Sequence, residues 1–325
     1  LQEMMLNAET KLRQVLEIPE DYRVLFMHGG AVAQFSAVPM NLMTENKKAD
    51  FIDAGFWSKR AITEAKKYVD VAIAAEFDDR VKPVSEWKIR PDADYVHICL
   101  NETVKGLEVL EDPTEWPESN PPLVADATST ILSRPIDVKK YGLIYASGGK
   151  NVPANMCIVI VKNSLLTDRQ AHPWCPQTMD YRLNGGGLQP KSSVFQSNPN
   201  TPPTWAVFLL DLMLDDIIET HKNLENVKTW VRARIGAVYK VADESKGFYK
   251  NFVHPPDRSQ MNAVFKMASK DLEKKFVEEG EKEGLLFLFG HPVEGGIRVT
   301  SYIGLSDEAL IAVAKFMKEF QARNE

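Results

Sequence analysis

Residues 121–150, PPLVADATSTILSRPIDVKKYGLIYASGGK, hold two short runs, PLVADA (Pro122 to Ala127) and LIYAS (Leu143 to Ser147), that read as strands breaking into small, turn-forming residues. Asp126 stands at the end of the first and Lys150 just past the end of the second, 150 − 126 = 24 positions on. Five more strand candidates share this texture: RVLFM (Arg23 to Met27), KADFID (Lys48 to Asp53), VDVAIAA (Val69 to Ala75), YVHICL (Tyr95 to Leu100) and MCIVIV (Met156 to Val161). Between them AVAQFSAVPMNLM and FWSKRAITEAKKY carry helical periodicity, each opening beside glycine or a small residue. Alternating strands and helices predict an α/β domain built on a mostly parallel sheet of seven strands, with ligands at the strands' C-terminal edge.

Beyond Asn163 the texture changes. Residues 172–203 are rich in Pro, Gly, Asn and Gln and end in SNPNTPPT, which reads as a long loop of the functional kind. TWAVFLLDLMLDDIIE is apolar nearly all round, as in a buried helix or one at a subunit interface. LENVKTWVRARIGAVYK, the strand-like NAVFKM, LLFLF and GIRVTSY, and a helix opened by Ser306 follow; Leu310, Val313, Ala314 and Met317 share one face of that helix. The division expected is a large domain over 1–220 and a small α+β C-terminal domain over 221–325.

The 325 residues carry 39 Lys and Arg against 45 Asp and Glu, a net charge of −6. No apolar run approaches the ~20 residues of a membrane helix, and the first thirty residues lack an apolar secretory core, so membrane and secreted classes are set aside. The acidic balance without a Lys/Arg block argues against nucleic acid as a partner. Cys99, Cys157 and Cys175, odd in number and without CxxC spacing, read as reduced thiols of a cytoplasmic protein, and no metal site is expected.

Neighbouring strand ends would bring Asp126 and Lys150 to one site. A lysine there suits a Schiff base, and a nearby carboxylate can pair with a pyridinium nitrogen, the arrangement that pyridoxal phosphate (PLP) requires. Taken singly, each has a plainer reading, a helix cap for Asp126 and a solvated side chain for Lys150. In HGGAVAQF the chain passes from a strand through Gly29 and Gly30 into a helix whose free amides can hold a phosphate. Trp57 stands where an indole can stack on a flat ring or simply fill the core, and Thr103 where a hydroxyl can meet a cofactor oxygen or cap a turn. Arg298, after a glycine pair, has the fork that suits a carboxylate, and His291 could add a donor for an anion.

The strings DYRVLFMHGGAVAQFSAVPMNL, DAGFWSKRAITEAKKY, NETVKGLE, VADATSTILSRPIDVKKYGLIYASGGKN, NPNTPPTWAV and GHPVEGGIRVTSY run in order over nearly the whole chain. Together they resemble the phosphoserine aminotransferase family, PLP-dependent transferases of fold type I within the class-V aminotransferases. The resemblance implies that Lys150 forms the Schiff base and shuttles protons, with Asp126 on the pyridine nitrogen, Trp57 stacked on the ring and Thr103 near the ring 3-oxygen. It places Ala31 and Val32 at the cofactor phosphate and Gly149 beside the lysine. Asn200 and Thr201 would reach the phosphate of the neighbouring subunit's cofactor, which implies a homodimer with shared active sites. Arg298 would hold the substrate α-carboxylate and His291 would lie near the substrate phosphate. The implied reaction moves an amino group between glutamate and 3-phosphohydroxypyruvate. The chain departs from the family pattern at Ala31, Val32, Gly149 and Pro292, and the family's N-terminal segment, with its His-Arg pair, is expected ahead of Leu1. Two other readings stay open: a related transaminase acting on an unphosphorylated substrate, and a truncated, weakly active or non-catalytic dimeric homologue.

Overall fold

In the computed structural model, which describes residues 1–113, 116–187 and 196–325, the apolar runs become strands and the patterned segments between them become helices. Along the chain come β1 (Tyr22–Met27), β2 (Lys48–Asp53), β3 (Asp70–Glu76), β4 (Tyr95–Cys99), a small hairpin of β5 (Asn101–Glu102) and β6 (Leu107–Glu108), then β7 (Leu123–Asp126), β8 (Leu143–Ser147) and β9 (Cys157–Lys162). All but the hairpin join one sheet in the order β1-β9-β8-β7-β4-β2-β3. β9 runs antiparallel to both neighbours, and the pairs from β8 across to β3 are parallel. The seven strands are the seven read from the sequence, with ends displaced by a residue or so, as expected where pairing and not composition decides the terminus.

The sheet lies between two helical layers, so residues are buried on both faces: the central β4 and β7 are buried throughout, as is β1 at the sheet edge. One face is covered by α1 (Gln2–Leu16) through Ala8, Leu12 and Leu16, and by α6 (Thr204–Asp216) through Ala206, Val207, Leu210 and Leu214. The other is covered by α2 (Gly30–Leu42) through Phe35 and Val38 and by α3 (Phe56–Ala65) through Ala61 and Ile62. Each fully buried Leu, Ile or Phe contributes roughly 1.5–3 kcal/mol, which fixes the sheet that the site is built on.

The remaining elements are α4 (Asn163–Thr167), α5 (Tyr181–Asn184), α7 (Leu224–Glu244), β10 (Asn262–Phe265), α8 (Lys270–Lys282), β11 (Phe289–His291), β12 (Gly295–Thr300) and α9 (Asp307–Asn324). The last three strands form an antiparallel sheet in the order β10-β12-β11. Its core joins Phe265, Ile297 and Val299 to Phe276 of α8 and Phe316, Met317 and Phe320 of α9. α7 serves both parts: Leu224, Val227 and Val231 enter the core under the large sheet, and Ile235, Val238 and Val241 enter the C-terminal one.

Three expectations change. LLFLF is not a strand: pairing begins only at Phe289, while Leu286 and Phe287 are exposed and Phe287 has a left-handed φ of 61°. The segment 172–203 is not loop throughout, because it contains α5, capped by the Asp180 carboxylate on the Leu183 amide, and a bridge from Gly185 to Gln196; its residues 188–195 lie outside those described. Of the two readings of α6, buried or at a subunit interface, only the first fails, since Trp205 is 69% exposed and Phe208 and Leu212 stand beside it on the outward face.

Candidate active site

The C-terminal ends of β4, β7 and β8 lie side by side, and register pairs Asp126 with both Cys99 and Tyr145. Past these ends opens a cavity of about 270 Å³, close to the lower bound of small-molecule sites. It is lined by seven of the residues singled out in the sequence, Ala31, Val32, Trp57, Thr103, Asp126, Gly149 and Lys150, together with Gly29, Gly30, Cys99, Asn101, Thr128, Ser129, Ser147 and Gly148. A larger cavity of about 930 Å³, with Lys82, Trp87, Asp112, Arg134 and Arg232 in its wall, contains none of the seven. Convergent chemistry and not size therefore picks the smaller one.

Lys150 Nζ donates to Thr103 Oγ1 at 2.6 Å and lies 5.6 Å from the centre of the Trp57 ring. Thr103 is held in turn, donating to Ser129 Oγ at 3.0 Å, and Ser129 Oγ donates to the Asn101 carbonyl at 2.9 Å. Asp126 accepts from the Thr128 amide at 2.9 Å. Burial pushes its carboxyl pKa up, opposed by hydrogen bonds from Thr128, by the charge of the Lys150 ammonium and by the Tyr145 hydroxyl. A buried carboxylate in this condition gains from a cation brought against it, as a protonated ring nitrogen would be.

At the opposite end α2 starts at Gly30, with Gly29 at φ 88° as its cap, so first-turn amides without helical acceptors border the cavity through Gly30, Ala31 and Val32. That is an anion site by construction. A Cβ on Gly30 would come within 2.8 Å of Ser147 Oγ, so glycine lets the turn sit against β8. Gly149 adopts φ 101°, a conformation that side chains rarely take, which accounts for glycine beside the lysine. A carboxylate, a lysine, an indole and a helix N-terminus around one cavity fit PLP: Asp126 would hold the ring nitrogen, Lys150 the aldehyde carbon and the α2 amides the phosphate.

His291 and Arg298, on β11 and β12, are not in the lining of this cavity. The His291 ring packs on Phe56, the neighbour of Trp57, with centroids 4.5 Å apart. Burial and the Arg298 cation both lower its pKa from the ordinary value. Arg298 Nε is buried and has no hydrogen-bond partner among the described residues. Asn200 and Thr201 are exposed and stand outside the cavity; the Thr201 carbonyl accepts from His28 Nε2 at 2.9 Å, beside the α2 turn. Four lining or supporting residues went unnoticed in the sequence. Glu102 and Asn101 flank Thr103 in NET, Ser129 and Thr128 follow Asp126 in DATS, and their polar character at strand ends was the only available sign.

The architecture, with its parallel sheet and lysine and aspartate at adjacent strand ends, is that of PLP-dependent transferases of fold type I. Residues 1–285 match the family model described as Aminotransferase class-V, and the chain belongs to that family. Among solved structures it is similar to phosphoserine aminotransferase from Bacillus circulans subsp. alkalophilus, at 32% identity and a TM-score of 0.91 over 99% of this chain and 87% of that one. It is also similar to PLP-bound phosphoserine aminotransferase from Trichomonas vaginalis, at 32% identity and a TM-score of 0.86 over 97% of this chain and 87% of that one. Phosphoserine aminotransferase from Cytophaga hutchinsonii, at 17% identity and a TM-score of 0.81 over 98% of this chain and 88% of that one, shares the fold.

Proposed function

We propose that the chain transfers an amino group between glutamate and 3-phosphohydroxypyruvate, the phosphoserine aminotransferase reaction, with PLP in the cavity at the ends of β4, β7 and β8. The observation that carries this reading is the meeting of Lys150, Thr103, Trp57 and Asp126 around one cavity whose far end is a helix N-terminus. PLP bound here would supply the electron sink that loss of a proton from a substrate Cα requires. Lys150 removes and returns that proton, and the Thr103 hydroxyl, 2.6 Å from Nζ, steers the amine. Asp126 keeps the ring nitrogen protonated, and the Trp57 indole excludes water from one face. Arg298, whose buried Nε has no hydrogen-bond partner among the described residues, is assigned to the substrate carboxylate, where bidentate charge-assisted hydrogen bonds are available. His291, beside it, is assigned to the substrate phosphate.

The domain division at 220 and 221 is part of this reading, with α7 as the helix that packs into the cores of both the PLP-binding part and the C-terminal part. So is a homodimer with shared sites, supported by the exposed apolar face of α6 with Trp205, Phe208 and Leu212 and by the position of Asn200 and Thr201 outside their own cavity. A cytoplasmic setting is supported by three cysteines without disulfides. The test is a transamination assay with glutamate and either 3-phosphohydroxypyruvate or its unphosphorylated analogue. The phosphorylated acid should be preferred, and Lys150→Ala should lose activity by on the order of 10⁴-fold or more. Equal rates with the two acids would move the assignment to an unphosphorylated substrate.

A further inference from the structure

Glu102 is completely buried beside the cavity, yet nothing in the reaction as derived uses it. Its Oε2 accepts from the Trp57 amide at 2.9 Å, and its Oε1 accepts from the Val104 amide at 3.3 Å. The first donor belongs to the opening turn of α3 and has no helical acceptor, and a carboxylate at that end is favoured by the helix dipole. The second lies one residue past Thr103, the residue that touches Lys150. The backbone makes room for this side chain: a Cβ on Gly55 would come within 2.9 Å of Glu102 Cγ.

We propose that Glu102 is a positioning residue that clamps the indole wall of the cavity to its threonine wall, so that Trp57 and Thr103 keep their spacing around the cofactor. The proposal rests on the PLP reading of the cavity. Burial raises the Glu102 pKa to about 7, with Asp126 adding to the rise, while the Trp57 and Val104 amides and the Lys150 ammonium oppose it; Cys99, the other titratable group it interacts with, stays a thiol because burial raises its pKa too. Only the ionised carboxylate can accept from both amides with full charge assistance, so the clamp tightens as pH rises through about 7. Stability runs the other way. The folded-state pKa of about 7 lies above the ordinary carboxyl value of 4.5, so between the two the fold retains a proton that the unfolded chain has lost, and stability falls as pH rises across that interval.

These opposite signs give the test. PLP is titrated into cofactor-stripped wild type and Glu102→Gln at pH values from about 6 to 8.5, followed by visible absorbance, and the melting temperatures of the stripped proteins are recorded. At the alkaline end Glu102→Gln should bind PLP about tenfold more weakly, with a melting temperature equal to or above wild type, and the gap should close toward pH 6. Equal affinities at the alkaline end, a gap that does not vary with pH, or a lowered melting temperature accompanying the loss would each overturn the proposal. Should Glu102→Gln not fold, Glu102→Asp, which keeps the charge but reaches less far, should bind weakly and retain the pH dependence; a flat profile there also overturns it. Wild type that binds no PLP at any pH overturns the cofactor reading, and this inference with it.

Discussion

The floor of the cavity, at the ends of β7 and β8, is made of groups already engaged: Asp126 with Thr128, Thr103 with Ser129 and Lys150, Gly149 with Val152 through their backbones. The hairpin of β11 and β12 at its rim differs in kind. There Phe287 is 75% exposed, Val293 and Glu294 face outward, and Arg298 carries a buried donor with no partner among the described residues. The floor is set before any ligand arrives, and the rim keeps its strongest donor uncommitted. That division suits an enzyme that holds one cofactor but receives two different amino-group carriers in turn, since preorganisation is most valuable where the chemistry does not change.

Glycine replacements give the sharpest way to break this comparison. A Cβ on Gly148 would come within 1.8 Å of the Pro153 carbonyl oxygen, and the Gly148 amide donates to Met156 at 2.8 Å, so the turn cannot yield without losing the β8–β9 pairing. Gly148→Ala should cost roughly 3 kcal/mol or prevent folding. Gly295, in the rim turn, has φ 67° and nothing within 4 Å of an added Cβ, so Gly295→Ala should cost only the ~1–2 kcal/mol of a left-handed residue. Urea unfolding of the two variants measures both, and equal costs would mean that floor and rim are equally rigid.

The next effect is kinetic. Arg298→Ala should raise KM for glutamate by about 10- to 100-fold, the loss of a charge-assisted pair, while the melting temperature barely moves because Nε has no hydrogen-bond partner among the described residues to lose. A large fall in stability would show that Arg298 belongs to the fold and not to the substrate.

What could be read from the sequence follows the same line. The seven strands were legible because a sheet buried on both faces leaves unbroken apolar runs such as LIYAS in β8 and MCIVIV in the antiparallel β9. Asp126 and Lys150 were legible because strand ends are where such a fold places ligands, and the order of motifs supplied the rest. The rim was less so: LLFLF is apolar enough for a strand, yet exposure and a left-handed Phe287 keep it out of the sheet until Phe289. Glu102 escaped notice because its importance lies in what it reaches, the Trp57 amide 45 positions away in sequence, and no local pattern records that. The outward face of α6 was legible only as apolar; which face is covered is decided by its packing with α1 in the core under the sheet.

His291 tests the rim most finely. Its ring rests on Phe56, and burial and the Arg298 cation hold its pKa below the ordinary value of about 6.5, so under the proposed assignment it would meet a substrate phosphate at neutral pH as a neutral donor. A neutral hydrogen bond is worth about 0.5–1.5 kcal/mol, so His291→Ala should raise KM for 3-phosphohydroxypyruvate about two- to tenfold and leave KM for glutamate unchanged. A depressed histidine pKa means that the proton is taken up only as pH falls below that ordinary value. The ratio of KM between variant and wild type should therefore stay flat from pH 7 to 8.5 and widen in acid, where the imidazolium adds charge to the contact. A ratio that widened toward alkaline pH would place the titrating group elsewhere. A ratio of one at every pH would leave Arg298 and the α2 amides as the groups that hold anions at this site.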